Sequence, residues 1–147
     1  MSQPAGSRPR LVLDTNVFIS ALISDAGAPA KILRAIQRDR VIHLVSDPIV
    51  AEYLRVLEYP RIRKFKMITE EFIAGIAAYL INETERVELT TTVKLSPDPD
   101  DGVFLSTAID GKATLLVSGD KTDLLALGAV RHIPIVSSRQ ALAKLDL

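Results

Sequence analysis

The sequence has no cysteine and no tryptophan, and only 5% of its 147 residues are aromatic. Without cysteine, disulfides and thiolate-bound metals are excluded, which suits the reducing cytoplasm where we expect the protein to reside. Two histidines cannot by themselves complete a tetrahedral zinc site. Any metal is therefore expected to be a hard cation held by oxygen atoms, and the core is expected to be aliphatic.

Long apolar runs and a net charge are also missing. No apolar stretch approaches the roughly 18 residues of a membrane-spanning helix, so no membrane partner is expected. The formal net charge is zero, yet residues 31–66 hold nine Lys and Arg against four Asp and Glu, and residues 67–110 hold two against nine. This division fits a protein that holds cations on one side and a polyanion on the other, and it fits two solvated faces equally well.

The pattern of apolar residues predicts one domain. Residues 1–9 are rich in Pro, Gly and Ser and are expected to form a flexible tail, with a single domain over 10–147. Short apolar runs predict strands at 11–13, 41–45, 86–89, 114–117 and 133–136, separated by helices. Such alternation predicts a three-layer α/β/α domain with a central, mostly parallel sheet of about five strands.

Acidic residues follow the strands at several points, and ligands of open parallel sheets bind at the carboxyl ends of strands. The four candidates come from separated segments: Asp14 after the first strand, Glu52 on the helix after the second, Asp101 at the start of a helix, and Asp120 after the strand at 114–117. Each alone has a simpler interpretation, as a helix cap, a surface residue or a turn residue. Their shared placement predicts convergence at one edge.

Converging carboxylates destabilise a fold unless a cation balances their charge. Mg²⁺ or Mn²⁺ is the natural ion for oxygen ligands, and such ions activate water and stabilise the charge that develops on a phosphate. The predicted chemistry is therefore phosphodiester hydrolysis. Four basic residues in the connector PRIRKFK are candidate phosphate contacts, although the connector could equally be a solvated segment: Arg61, Arg63, Lys64 and Lys66.

Five segments together resemble the PIN-domain family of metal-dependent ribonucleases. They are LVLDTNVFISAL, SDPIVAEYLRVL, DPDDGVFLSTAI, ATLLVSGDKTDLLAL and IPIVSSRQAL, in the family's order and spanning about residues 10–145. The resemblance is strongest to a subgroup described as toxins of toxin–antitoxin modules. It implies a PIN-like fold, RNA as substrate, a cognate antitoxin and a homodimer or higher oligomer.

The resemblance also implies roles for individual residues. The family's four acids match Asp14, Glu52, Asp101 and Asp120, both as catalytic residues and as metal ligands. The third is matched to Asp101, because Phe104 and Ala108 follow it at the family's spacing. Four further residues are expected to support the site: Asn16 as a brace for Asp14, Ser118 before the fourth acid, and Asp98 and Asp123 as additional carboxylates. Some family members place the fourth acid nearer the position of Asp123, so Asp123 is an alternative to Asp120. Asp100, like Asp98, remains open as a water-mediated ligand.

Three other classes of protein are compatible with parts of the pattern. A haloacid dehalogenase-type phosphohydrolase needs a second Asp where this chain has Asn16, and a receiver domain needs an acidic pair after the first strand. Both are therefore disfavoured. A PIN-like module that binds RNA or protein without cleaving it is the remaining alternative, and the complete set of four acids argues against it.

Overall fold

The centre of the fold is a sheet whose strands come from the predicted apolar runs. The computed structural model describes residues 8–93, 101–119 and 123–147, so most of the expected tail lies outside it. Six strands form one sheet in these ranges, in the order β3-β2-β1-β4-β6-β5. Their bounds are Arg10–Leu13 (β1), Ile42–Val45 (β2), Glu85–Arg86 (β3), Leu115–Val117 (β4), Ala129–Val130 (β5) and Ile133–Val136 (β6).

The sheet is parallel except at one edge. Strand β1 pairs in parallel with β2 on one side and β4 on the other, whereas β5 runs antiparallel to β6. Leu11, Val12 and Leu13 are fully buried, as expected for a central strand that is covered on both faces. The predicted mostly parallel α/β architecture is confirmed, with β5 as a sixth strand that the sequence did not indicate.

Helices connect the strands, and eight lie in the described ranges. They are Thr15–Ile23 (α1), Ala28–Gln37 (α2), Asp47–Leu57 (α3), Pro60–Arg63 (α4), Glu70–Asn82 (α5), Asp101–Asp110 (α6), Asp123–Leu127 (α7) and Ser138–Leu145 (α8). Two helix starts follow local rules. Thr69 accepts a hydrogen bond from the Phe72 N–H, and Ser137 and Gln140 form a capping box at α8.

The segment before α6 departs from its predicted structure. A strand was expected over 86–89, but β3 contains only Glu85 and Arg86. The Val87 N–H still donates to the Val45 carbonyl (2.7 Å). Beyond it the backbone N–H groups of Thr90 and Thr91 donate to the Asp110 carboxylate instead (2.7 and 2.9 Å). The strand ends early because its neighbour β2 ends at Val45, and the later donors of Thr90 and Thr91 bind a side chain at the end of α6 instead of a strand.

A chain of buried polar groups links α5, β2 and α3 beneath the end of β1. The Tyr53 hydroxyl donates to the carbonyl oxygen of Leu13 (2.5 Å), so its oxygen can only accept from His43 Nε2 (3.3 Å). His43 Nδ1 then accepts from the Tyr79 hydroxyl (2.9 Å). Phe18 stacks on Tyr53 with ring centroids 4.3 Å apart. Burial lowers the pKa of His43 to about 3, so the imidazole is neutral and Nδ1 acts as the acceptor.

Because His43 is neutral when buried, we expect the stability of the fold to depend on pH. Because the unfolded chain takes up this proton near pH 6.5 and the folded protein only near pH 3, the free energy of unfolding should fall by up to about 1.4 kcal/mol per pH unit as the pH decreases between these values. Urea unfolding measured from pH 7.5 to 4.5 should show this slope in the wild type and a shallower one in His43→Gln. His132→Gln, at an exposed histidine, is the matched control. Equal slopes in all three proteins would contradict the assignment.

Candidate active site

Asp14 lies where β1 ends and α1 begins, and its carboxylate binds both flanking elements. Oδ1 accepts from the Val17 N–H (3.0 Å), which caps α1. Oδ2 accepts from the Ser118 hydroxyl (2.5 Å) and from the Gly119 N–H (3.1 Å), both just beyond β4. The alternative interpretation of Asp14 as a helix cap is thus correct in part, because one oxygen caps the helix while the other binds the neighbouring strand.

Asp14 is only 4% exposed. Burial raises its pKa, and the hydrogen bonds from Ser118, Val17 and Gly119 oppose that rise. A buried carboxylate at the carboxyl end of a central strand is costly to keep ionised without donors or a cation beside it. Such a group is typical of a functional site rather than of a simple cap.

Glu52 is carried to the same edge by α3. The neighbouring Tyr53 donates to the carbonyl of Leu13, the residue directly before Asp14, so α3 is held against the end of β1. The pKa of Tyr53 is raised first by burial and then by the charges of Asp14, Tyr79 and Glu52, which puts both carboxylates within electrostatic reach of one hydroxyl. The Glu52 side chain is 20% exposed and pairs with Arg55 (2.5 Å).

Asp101 is the first residue of α6, and a buried pair of hydroxyls connects this helix to α3. The Thr107 hydroxyl donates to the Val103 carbonyl (2.7 Å), so the Ser46 hydroxyl must donate to Thr107 (2.8 Å). Both side chains are buried, and the pair connects the start of α3 to the middle of α6. Ser46 thus occupies the N-cap position of α3, but its hydroxyl binds α6 and does not cap α3. The helices that carry Glu52 and Asp101 are held together by this bond.

The other predicted site residues are exposed or lie outside the residues that the structure describes. Asn16 is exposed, and only its backbone N–H contributes to Asp14. Asp123 is exposed at the start of α7. Asp98, Asp100 and Asp120 lie outside the described residues. Within the described ranges, no three Asp, Glu or His side chains form a group able to hold a metal ion. The ligand set therefore stays a prediction.

Two of the four basic side chains in the PRIRKFK connector already contact other side chains of this protein. Arg63 pairs with Glu70 (2.6 Å) and lies 4.0 Å from Glu58. Arg61 lies over the Tyr59 ring, 5.6 Å from its centroid. Lys64 and Lys66 are exposed. The role of these four residues in binding nucleic acid stays a prediction.

Beside Asp14 the structure shows a cleft that the sequence did not indicate. Its volume is about 270 Å³, and its lining residues include Ser118, Gly119 and Arg139. Arg139 stands three residues after the end of β6. The signal in the sequence was the segment SSR directly after an apolar strand, the same position relative to a strand that identified the acids.

An α/β domain with a parallel sheet and acids at its carboxyl edge is shared by a broad class of proteins. Comparison with known proteins identifies the family within that class. The sequence pattern of the PIN domain matches residues 10–122. Uncharacterized protein MJ1680 of Methanocaldococcus jannaschii is 34% identical over 118 residues, which cover 80% of this chain and 74% of that protein. The chain therefore belongs to the PIN-domain family.

A solved structure of the PIN domain endonuclease Utp24 is also similar, with 21% identity and a TM-score of 0.47, over 87% of this chain and 84% of that one. Among the residues that the structure describes, no helix is long and apolar enough to cross a membrane.

Gly102, next to Asp101, supplies a prediction about how the site is held. A Cβ there would lie 2.8 Å from the Val93 carbonyl oxygen, whereas a Cβ at Gly75 in α5 would meet nothing within 4 Å. Gly102→Ala should therefore lower the free energy of unfolding by about 1–3 kcal/mol. Gly75→Ala should raise it by about 0.5–1 kcal/mol. Chemical denaturation of both variants tests the pair, and a Gly102→Ala protein as stable as Gly75→Ala would show that the close approach is not needed.

Proposed function

We propose that this protein is a Mg²⁺- or Mn²⁺-dependent endoribonuclease. The observation that carries the proposal is the buried carboxylate of Asp14 at the end of the central strand, held by donors from β4. Glu52 lies on a helix that is hydrogen-bonded to the same strand end. Membership of the PIN-domain family supports the proposal, since the family resemblance implies RNA hydrolysis.

The candidate ligands fit a hard cation by their chemistry, because all of them are carboxylates. Asp14, Glu52, Asp101 and Asp120 would hold the ion, which when bound lowers the pKa of a water molecule and stabilises the charge on the phosphate. The chain's own contribution is to fix these groups. Ser118 and the Gly119 N–H orient Oδ2 of Asp14, and Arg55 holds Glu52.

We further propose that the protein is the toxin component of a type II toxin–antitoxin module and that it acts in the cytoplasm. The family resemblance is the main support. A second support is Ile81 on α5, which is 71% exposed, whereas the other large apolar side chains of this helix pack against the core. We expect Ile81 to contribute to contact with a protein partner, either the antitoxin or a second copy in a homodimer or higher oligomer.

A non-catalytic PIN-like module that binds RNA or protein is the second candidate. It is favoured by one observation, the lack of a three-carboxylate group among the described residues. Loss of cleavage with retention of RNA binding would distinguish it from a nuclease.

Cleavage of RNA is the direct test. Purified wild-type protein should cleave total RNA in the presence of Mn²⁺ and not in the presence of EDTA. Asp14→Asn and Asp101→Asn should lose roughly 100-fold or more of the rate, since each would remove a metal ligand. Glu71→Gln, an exposed acid on α5, is the matched control and should cleave like the wild type.

Metal binding can be measured apart from cleavage. Mn²⁺ alone should raise the Tm of the wild type, because it binds only the folded protein, and should leave that of Asp101→Asn unchanged. If the wild type shows neither a Tm shift nor cleavage, the metal-dependent mechanism is wrong and the binding module becomes the better interpretation.

The toxin role predicts an effect in cells. Induced expression of the wild type should arrest bacterial growth, and expression of Asp14→Asn should not, because arrest requires RNA cleavage. Growth curves with matched protein levels on immunoblots measure this. Normal growth with active, soluble wild-type protein would contradict the toxin role while leaving the nuclease intact.

A further inference from the structure

The cleft beside Asp14 lies on the side of β1 that faces β4 and β6. It is walled by the ends of those two strands and by the starts of three helices. Its polar lining consists of Asn16 and Ser20 from α1, Ser118 and Gly119 after β4, and Ser137, Ser138 and Arg139 after β6. Because Ser118 and Gly119 also bind Asp14, the cleft opens directly next to the candidate active site.

The lining of the cleft differs in chemistry from the acidic edge. It contains no carboxylate; its polar groups are hydroxyls, an amide and one guanidinium. Arg139 is exposed, and its side chain makes no salt bridge or hydrogen bond with any part of the chain that the structure describes. By contrast, Arg55 and Arg63 pair with acids. As far as the described residues show, the cleft therefore presents a guanidinium without an acidic partner, surrounded by neutral hydrogen-bonding groups.

We propose that this cleft binds a phosphodiester of the RNA strand and that Arg139 is the charged residue that contacts it. This phosphodiester would neighbour the one that is cleaved at the acidic edge. The guanidinium matches the geometry of phosphate oxygens, to which it can donate two parallel hydrogen bonds. The hydroxyls of Ser20, Ser137 and Ser138 add neutral donors of the kind that contact nucleic-acid backbones. The inference rests on the proposed function, because it takes Asp14 as the place of the reaction.

The order of the β-strands in the sheet indicates the path that a bound RNA would take across the sheet edge. Glu52 follows β2, on one side of β1, whereas the cleft lies on the other side, at β4 and β6. A polyanion that crosses the carboxyl edge of the sheet over Asp14 would therefore meet Glu52 on one side and Arg139 on the other. This makes Arg139 a more direct phosphate contact than Arg63 in the basic connector, whose guanidinium already faces Glu70.

The test is RNA binding by Arg139 variants without cleavage. Binding of a short fluorescein-labelled single-stranded RNA is followed by anisotropy in EDTA, at several salt concentrations. Arg139→Ala should weaken binding about 10-fold at low salt and reduce the slope of log K against log salt by about 0.7, the loss of one phosphate contact. Arg139→Lys should recover part of the affinity. Lys144→Ala, which removes an exposed positive charge five residues further along α8, is the matched control and should change affinity less than 2-fold.

The outcomes separate this proposal from the proposed enzymatic activity. Equal affinities for Arg139→Ala and Lys144→Ala, or a wild type that binds no RNA, would overturn the phosphate site whether or not the protein cleaves RNA. Selective weakening by Arg139→Ala together with inactive wild-type protein would support the phosphate site and reject catalysis. If the enzyme is active, Arg139→Ala should raise KM about as much as it weakens binding and leave kcat within a few-fold.

Discussion

The carboxylate of Asp14 is the interaction on which the candidate site depends. One oxygen caps α1, the other accepts from Ser118 and Gly119, and the residue's own backbone N–H donates to the Val117 carbonyl (2.9 Å). Strand β1, strand β4 and helix α1 are therefore positioned by a single residue. Its burial carries a desolvation cost that charge-assisted hydrogen bonds offset in part, and a cation at this edge would offset more of it.

Two further buried hydrogen bonds extend this positioning to the helices. The Tyr53 hydroxyl binds α3 to the end of β1, and the hydroxyl pair of Ser46 and Thr107 binds α3 to α6. Apolar packing alone tolerates small shifts of a helix, whereas a buried donor left without an acceptor costs about 1–3 kcal/mol. These bonds therefore restrict where Glu52 and Asp101 can lie relative to Asp14 more tightly than the aliphatic core could.

The sequence predicts those features of the structure that are caused by residues adjacent in the chain, and it does not predict those that depend on distant contacts. The strand before Asp14 and the cap at Thr69 were predictable, because hydrophobic runs and capping residues act on their immediate neighbours. The target of the Tyr53 hydroxyl was not predictable, because that tyrosine fits an apolar helix stripe equally well. Arg139 was overlooked because one arginine in a first helical turn resembles any solvated residue until the cleft beside it is visible.

The two outermost strands, β3 and β5, contain only two residues each. An edge strand can recruit a foreign strand through its unpaired backbone groups, and short edges are one way in which proteins prevent this. In the part of the chain that the structure describes, neither margin of the sheet offers a ladder long enough to template fibril growth. Association between copies at high concentration would then have to proceed through helical faces, where side-chain fit rather than backbone pairing decides which molecules are accepted.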